Sequence, residues 1–392
     1  MTRVFISCGE ASGDLYAAAL AEELRRREPD VEIVGFGGPR LAAAGATLYE
    51  DYRHYSVTGL AEVVKQLPRT WRLYRRLVAE ARKQPPDVFV PIDFPDFNFR
   101  LGGSLNAAGV PVVYYVAPQL WAWREGRLNT MRRFASLVLP IFPFEPAIYE
   151  KADVPVEFVG HPLIDLIPPP ADRVAVLRAA GLDPERPVLA VLPGSRHNEV
   201  DKILPDLVTA LPLLAERVPG IQALVARAPN LEDALFAPLA AARADGRVPI
   251  AVLDGRADDV LSASDVVLTA SGTATVQTAL HEKPMVIVYR VSELSYFLGR
   301  RFLKVDTFGM ANLIAGHKVA AELIQDFFSP DRVADEVARL FNDSAAAEAM
   351  VAEWREVKRR LGGGGASGRA AEAILRVARS HRDAGRAASA SK

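Results

Sequence analysis

Short runs of Val, Ile, Leu and Phe alternate along the chain with amphipathic segments whose apolar residues recur near the helical period. Runs that are apolar at nearly every position are typical of strands buried on both faces of a sheet. Strands that alternate with helices predict an α/β fold built on doubly wound parallel sheets. The predicted strands are 4–8, 31–36, 88–92, 112–116, 137–141, 156–159, 188–192, 223–226, 250–253, 266–269 and 285–289.

The alternation pauses at Pro168, Pro169 and Pro170, where neither a helix nor an internal strand can continue. A chain of 392 residues is long enough for two domains, and we predict them at 1–168 and 172–342. Open α/β sheets bind ligands at the carboxyl ends of their strands, so an interdomain cleft is expected. Two C-terminal segments complete the prediction: helices that pack back across domains or subunits at 343–380, and a disordered tail at 381–392.

The composition narrows the classes of function. A formal net charge of −1 gives no reason to expect a nucleic-acid partner. Cys8 is the single cysteine and the six histidines are scattered, so neither a disulfide framework nor a metal site or other cofactor is predicted. The chain starts without a signal-peptide pattern and contains no apolar run long enough to span a bilayer, which predicts a cytoplasmic protein.

The segment LAVLPGSRHNEV places a tight turn between a predicted strand and a helix that starts near residue 198. Gly194 allows a ligand to approach the backbone closely, and Ser195 can cap the helix, whose amides would face an anion. Arg196 follows where a guanidinium can bind a diphosphate with two hydrogen bonds. The alternative is an ordinary strand-to-helix turn with a surface arginine.

A second turn of this kind lies in VVLTASGTATVQTAL. Small side chains at a helix start let phosphate oxygens reach several backbone amides, and Gln277 lies one turn further, within reach of a ribose hydroxyl. Alone, the segment is equally consistent with an ordinary capped turn, but two such loops on one sheet edge favour a nucleotide domain in the second half. Its candidate residues at the helix start are Ser271, Gly272, Thr273 and Ala274.

In the first half, Asp93 follows a predicted buried strand, where burial would raise its pKa and suit it to general-base catalysis. Asp96 and Asn98 come next, either as helix caps or as contacts to an acceptor substrate.

An aromatic segment, APQLWAWREGR, contributes Trp121, Trp123 and Arg124. These side chains could stack on a sugar or line an acyl channel, and they could equally form core between the domains.

Residues 60–84 carry seven Lys or Arg against two acids, and their apolar residues form one helical stripe. A basic amphipathic helix with a tryptophan suits the surface of an anionic membrane. The alternative is a helix packed on the sheet with its charged face in water. The membrane-facing candidates are Leu60, Val63, Val64, Leu67 and Trp71.

Eight motifs occur in a fixed order: CGEASGD, GFGGPR, PIDFPDFN, APQLWAWR, FVGHP, VLPGSR, ASGTAT and ANLIAG. With this set, the chain from about residue 3 to about residue 378 resembles the lipid-A-disaccharide synthases. The resemblance implies a GT-B glycosyltransferase: two Rossmann-like domains, a cleft between them and a helical C-terminal segment. It implies metal-independent, inverting transfer of 2,3-diacylglucosamine from UDP-2,3-diacylglucosamine to the 6-hydroxyl of 2,3-diacylglucosamine 1-phosphate. It also implies a peripheral location on the cytoplasmic face of the inner membrane.

The resemblance also implies roles for single residues. Asp93 matches the family's candidate base, Arg196 its essential arginine, and Asn312 a residue near the nucleotide; the basic stripe matches its membrane-insertion region. The chain departs from the family at Gln277, because related enzymes usually carry Glu there. A glutamine keeps one acceptor and loses the charge, which predicts weaker donor binding or a different ribose contact.

The loop CGEASGD stands where a phosphate loop would be expected in the first domain, but it is acidic. Since both phosphate-ready loops lie in the other domain, we expect Glu10, Ser12 and Asp14 to accept hydrogen bonds from the acceptor sugar or to support Asp93. Glu10 is the alternative to Asp93 as the base.

Other functions fit the same two domains. They are another GT-B transferase acting on a UDP-N-acetylglucosamine-type donor, a sugar epimerase, and a non-catalytic UDP-sugar-binding protein. The sequence leaves the oligomeric state open, with a homodimer as one possibility.

Overall fold

A computed structural model of the chain describes residues 1–55, 60–118, 126–229, 231–290 and 307–390, with the backbone alone at 60–66 and 385–390. Across these residues the strands form two six-stranded sheets in which every neighbouring pair is parallel. The chain divides into two compact units. The first unit is Met1–Leu166 with Leu361–Lys392, and the second unit is Ile167–Arg360.

The sheet of the first unit has the order β3-β2-β1-β4-β5-β6. Its strands are β1 (Arg3–Cys8), β2 (Glu32–Gly37), β3 (Thr47–Asp51), β4 (Val88–Ile92), β5 (Val112–Tyr115) and β6 (Ala135–Leu139). The helices among them are α1 (Ala11–Arg27), α2 (Pro39–Ala43), α3 (Leu60–Lys83), α4 (Pro95–Ala107), α5 (Gly126–Phe134), α6 (Glu145–Lys151) and α7 (Leu163–Leu166), with a 3₁₀ helix at Tyr52–Tyr55.

The sheet of the second unit has the order β12-β11-β10-β7-β8-β9. Its strands are β7 (Val188–Leu192), β8 (Gln222–Arg227), β9 (Ile250–Asp254), β10 (Val266–Ala270), β11 (Met285–Tyr289) and β12 (Ala321–Ile324). The helices are α8 (Arg173–Ala179), α9 (His197–Arg217), α10 (Pro238–Asp245), α11 (Ala257–Ala263), α12 (Thr273–Leu280), α13 (Met310–Ala315), α14 (Pro330–Asn342) and α15 (Ser344–Arg360), with 3₁₀ helices at Asp233–Phe236 and Gln325–Phe327.

Both sheets therefore repeat the doubly wound order 3-2-1-4-5-6, which is the Rossmann topology. The two strands at the centre of each sheet are buried along nearly their whole length; β4 and β7, for example, are buried at every position. The expected α/β fold with two Rossmann-like sheets is confirmed. Each sheet reverses its strand order once, between β1 and β4 in the first unit and between β7 and β10 in the second.

The strand predictions fail only at sheet edges. The predicted strand at 156–159 is wrong, because Val156 makes a single isolated bridge to Val138. The edge strands β3 and β12 were not predicted. The sequence of β3, TLYED, is polar and partly exposed, and β12 has only four residues, so neither shows the apolar run of an interior strand.

The last helix, α16 (Ala366–Ala390), belongs to the first unit, whereas α15 belongs to the second. Both carboxylate oxygens of Asp165 accept the amide of Gly365 at 2.8 Å, and one accepts the amide of Ala366 at 3.1 Å, which caps the start of α16. The residues from 381 onward, expected to be disordered, continue this helix to Ala390. None of the helices in the described part of the chain combines the length and apolar character that a bilayer span requires.

A buried histidine lies in the core of the first unit. His161 packs against the rings of Tyr16 and Phe142, with centroid distances of 6.0 and 5.4 Å. Its Nδ1 accepts the amide of Leu163 at 3.2 Å. Burial lowers the pKa of the imidazole to about 3, so the ring is neutral in the folded protein at physiological pH.

This burial predicts a pH-dependent stability. In the unfolded chain His161 takes up a proton below about pH 6.5, so its contribution to stability is complete above that pH and is lost as the pH falls toward 3. His161→Asn keeps an acceptor for Leu163 without titrating. Relative to this variant, the wild-type free energy of unfolding should fall by about 1.4 kcal/mol per pH unit between pH 6 and 4.

Chemical denaturation of the full-length protein at several pH values measures this difference in the free energy of unfolding. His381→Asn is the matched control, because His381 is exposed on α16. Parallel pH profiles for wild type and His161→Asn would contradict the assignment.

Candidate functional site

Four of the motifs picked out in the sequence follow the four strands at which the two sheets reverse their order. The carboxyl ends of β1 and β4 lead into Gly9 and Asp93 in the first unit. The carboxyl ends of β7 and β10 lead into the loops 193–196 and 271–272 in the second. Ligands of doubly wound sheets bind at such switch points, so each unit presents one candidate site.

Asn98 joins the two strand ends in the first unit. It is wholly buried on α4, its Oδ1 accepts the Ser7 hydroxyl at 2.7 Å, and its Nδ2 donates to the carbonyls of Ser7 and Asp93 at 3.2 and 2.8 Å. The expectation that Asn98 contacts an acceptor is therefore wrong. Its amide donates to the backbone, and it positions Asp93 instead.

The backbone at Asp93 is held in an unusual conformation. Asp93 and Phe94 both have positive φ, 45° and 50°, which residues with a side chain rarely adopt. The Asp93 carbonyl accepts the Tyr114 hydroxyl at 2.8 Å, and the Phe94 ring lies where a Cβ on Gly9 would collide with it. Strained residues fixed in this way concentrate at functional sites. The half-buried Asp93 side chain is thus carried by a rigid support.

The acidic loop after β1 divides into two roles. The Asp14 carboxylate is buried and accepts the amides of Gly38, Arg40 and Leu41 at 2.8, 3.0 and 3.1 Å, which caps α2. The expectation that Asp14 contacts the acceptor is therefore wrong. Glu10 precedes α1 and Ser12 lies in its first turn; both are half-buried and stay predicted acceptor contacts.

Asp96 lies in the first turn of α4 with 74% of its side chain exposed, paired with Arg127 of α5. The Arg127 guanidinium also lies over an aromatic face, 5.5 Å from the centre of the Phe99 ring. The predicted acceptor contacts Trp121, Trp123 and Arg124 lie outside the described residues.

Helix α3 has two different surfaces. Leu73, Leu77 and Ala81 recur every four residues and are buried in the core. Leu67 and Trp71 are 58% and 52% exposed. The helix therefore packs on the sheet with its C-terminal half and displays apolar side chains further toward its start. Leu60, Val63 and Val64 belong to α3, but their side chains are outside the described residues.

In the second unit, a carboxylate of the protein itself occupies the turn after β7. Arg196, not Ser195 as expected, is the cap residue of α9. The Glu199 carboxylate accepts the amides of Ser195 and Arg196 at 3.1 and 3.3 Å and pairs with the Arg196 guanidinium at 3.3 Å. Gly194 has φ 128°, and a Cβ there would lie 2.6 Å from the Cβ of Glu199. Glu199 was missed because Ser195 matched the usual cap residue type.

The turn after β10 is open. Gly272 caps α12 with φ 136°, and a Cβ built on it would meet no atom within 4 Å. The Ser271 hydroxyl donates to the Phe308 carbonyl at 3.0 Å, which fixes the loop. Among the described residues, no carboxylate accepts the amides of Thr273 and Ala274 at the helix start. This helix end is therefore the better anion site of the two.

Gln277 lies one turn into α12 and is tied to a neighbouring helix. Its Nε2 donates to Oδ1 of Asp258 on α11 at 2.7 Å. His281 Nε2 lies 2.8 Å from the same oxygen. Asp258 was missed because it is 19 residues from Gln277 and no local pattern marks it.

The Asn312 side chain makes its hydrogen bonds within the second unit. It is wholly buried, its Oδ1 accepts the amides of Val319 and Ala320 at 3.0 and 2.9 Å, and its Nδ2 donates to the Ala320 carbonyl and to Glu322 at 3.0 and 2.8 Å. These bonds use its whole capacity. Its place near the nucleotide stays a prediction, and Glu322, which also accepts the amide of Gly309 at 2.8 Å, completes a buried scaffold.

In the described part of the chain, no three His, Cys, Asp or Glu side chains come together as a metal-binding group.

Known proteins resemble this chain over nearly its whole length. The family described as "Lipid-A-disaccharide synthetase" matches residues 4–372. A lipid-A-disaccharide synthase from Koribacter versatilis is 44% identical over 384 residues, which cover 96% of this chain and 99% of the relative. One from Myxococcus xanthus is 42% identical over 375 residues, which cover 96% of this chain and 97% of the relative.

Among solved structures, the UDP-GlcNAc 2-epimerase from Neisseria meningitidis bound to UDP-GlcNAc has a TM-score of 0.68 at 11% sequence identity, with 96% of this chain and 100% of that one covered. At this identity the likeness shows the fold alone. The family match and the two relatives go further, and together they show that the chain belongs to the lipid-A-disaccharide synthetase family of GT-B glycosyltransferases.

Proposed function

We propose that the protein transfers 2,3-diacylglucosamine from UDP-2,3-diacylglucosamine to the 6-hydroxyl of 2,3-diacylglucosamine 1-phosphate, with inversion at the sugar C1. The products are the β-1′,6-linked disaccharide 1-phosphate and UDP. The observation that carries the proposal is the open N-terminus of α12, which lies at the switch point of its sheet. The family to which the chain belongs transfers sugars. A diphosphate leaving group needs an anion site of this kind.

The donor is proposed to bind the second unit. The amides of Thr273 and Ala274 face the diphosphate, and the positive end of the α12 dipole stabilises its charge. Arg196 follows the adjacent strand β7 and adds a guanidinium; Gly194, Ser195, Ser271 and Gly272 supply the close backbone around the phosphates.

The Glu199 carboxylate matters for this arrangement because it already occupies the amides of Ser195 and Arg196. We infer that the α9 turn contributes the Arg196 side chain to the donor, whereas the α12 turn contributes backbone amides. The two loops look alike in sequence but thus make different contacts with the donor.

The acceptor is proposed to bind the first unit. Asp93 takes the proton of the 6-hydroxyl while that oxygen forms its bond to C1 of the donor sugar, and the bond from C1 to the UDP oxygen breaks with its electron pair. The new negative charge on UDP falls on the α12 amides and Arg196. Glu10 is the alternative base, and Ser12 and Asp96 are proposed contacts to the acceptor.

Both proposed substrates are diacylated, so the enzyme must meet them at a bilayer. The exposed Leu67 and Trp71 on the basic helix α3 fit an anionic membrane surface, and we propose that the protein acts peripherally on the cytoplasmic face of the inner membrane. A homodimer stays a prediction.

Incubation with both lipid substrates, followed by mass spectrometry, tests the proposed reaction. We expect a disaccharide monophosphate and UDP in equal amounts, with the same rate when EDTA is present. Absence of the disaccharide, or a strict need for a divalent metal, would contradict the proposal; an altered UDP-sugar without transfer would favour an epimerase instead.

Asp93→Asn tests the proposed base. Loss of general-base catalysis should lower kcat by about a thousandfold, while the Kd for UDP stays within about twofold because the donor binds the other unit. Glu10→Gln is the matched comparison. If Glu10→Gln loses turnover and Asp93→Asn keeps it, the base is Glu10.

A further inference from the structure

Three side chains in the second unit form one hydrogen-bonded group, which we call the Asp258 group: Asp258 on α11, and Gln277 and His281 on and just after α12. Gln277 Nε2 and His281 Nε2 both approach Oδ1 of Asp258, at 2.7 and 2.8 Å. Gln277 and His281 are four residues apart, so they share one face of the helix and contact the same carboxylate oxygen.

We propose that Asp258 is a positioning residue, which orients the Gln277 amide to bind the nucleotide ribose. Because of Asp258, position 277 requires a neutral amide side chain. The inference rests on the proposed function, because it assumes that the second unit binds a UDP-sugar.

Asp258 fixes the direction of the Gln277 amide. A carboxylate can only accept hydrogen bonds, so the Gln277 nitrogen must face Asp258 and the Gln277 oxygen must point away from it. The amide is therefore held as an acceptor on its outer side. A ribose hydroxyl is a donor that fits such an acceptor.

The distance along α12 between the anion site and Gln277 fits a nucleotide. Gln277 lies four residues after Thr273, whose amide opens the anion site, and four residues advance a helix by about 6 Å on the same face. A nucleoside diphosphate bridges a gap of this size between its phosphates and its ribose.

The charge of Asp258 disfavours a second carboxylate beside it. A glutamate at position 277 would bring a second carboxylate within hydrogen-bond distance of Asp258, and two like charges at that separation repel. Gln277 instead donates to Asp258, so the negative charge expected at this site is present on α11. Glutamine here is matched to its neighbour, and the weaker donor binding expected from its lost charge no longer follows.

The Asp258 group is rigid. The His281 side chain is only 3% exposed, whereas Asp258 is 31% exposed, so a buried ring anchors a carboxylate that stands at the surface. The side-chain freedom of this group is thus lost before the ligand arrives, which favours binding.

The test measures the Kd of the full-length protein for UDP and for 2′,3′-dideoxy-UDP by calorimetry. Three variants are compared with wild type: Gln277→Glu, Asp258→Asn, and the two combined. In the combined variant the amide stands on α11 and donates to the carboxylate on α12, so the hydrogen bond is rebuilt with reversed polarity. Asp259→Asn is the matched control, because it removes the same charge from the next residue of the chain. Asp259 pairs with Arg256 at 2.6 Å and does not belong to the Asp258 group.

We expect Gln277→Glu to weaken UDP binding about tenfold and dideoxy-UDP binding by less than about twofold, and the combined variant to recover UDP affinity to within about threefold of wild type. Asp258→Asn alone should weaken UDP binding about threefold, because an amide partner no longer fixes the direction of the Gln277 amide. Asp259→Asn should match wild type.

A Gln277→Glu variant that binds UDP as tightly as wild type, or a combined variant no better than Gln277→Glu, would overturn the inference. Wild type that binds no UDP would overturn the proposed function as well, which separates the two failures.

Discussion

The reversal of strand order at the centre of each sheet is the constraint on which the site depends. Helices after β1 and β4, and after β7 and β10, leave to opposite faces of their sheets, so the loops at these strand ends are not covered by their own helices. The motifs CGEASGD, PIDFPDFN, VLPGSR and ASGTAT each lie at one of these four strand ends.

Polar side chains fix the backbone at and around these loops. Asn98, Asp14 and Asn312 are buried and Glu199 is half-buried, and each makes hydrogen bonds to backbone amides or carbonyls. Leaving such a buried group without its partner costs about 1–3 kcal/mol, so each fixes local geometry strongly. This scaffold carries the side chains that we propose to act in the reaction, above all Asp93, Arg196 and Gln277.

The interior of the fold was predictable from sequence, because strands buried on both faces must be apolar throughout; the edge strands β3 and β12 carry no such signal. The loops of the candidate site were predictable from the strands they follow. The separate roles of their polar residues were not. Ser7 and Asn98 are 91 residues apart, Asp14 caps a helix 24 residues away, and neither partnership leaves a local pattern.

We propose that the donor's diphosphate binds the N-terminus of α12, while the acidic loop after β1 binds the acceptor. Hydrogen–deuterium exchange with and without UDP tests it directly. We predict slower exchange at the amides of Thr273 and Ala274, and unchanged exchange at residues 9–14. Protection of residues 9–14 with none at Thr273 and Ala274 would contradict the claim.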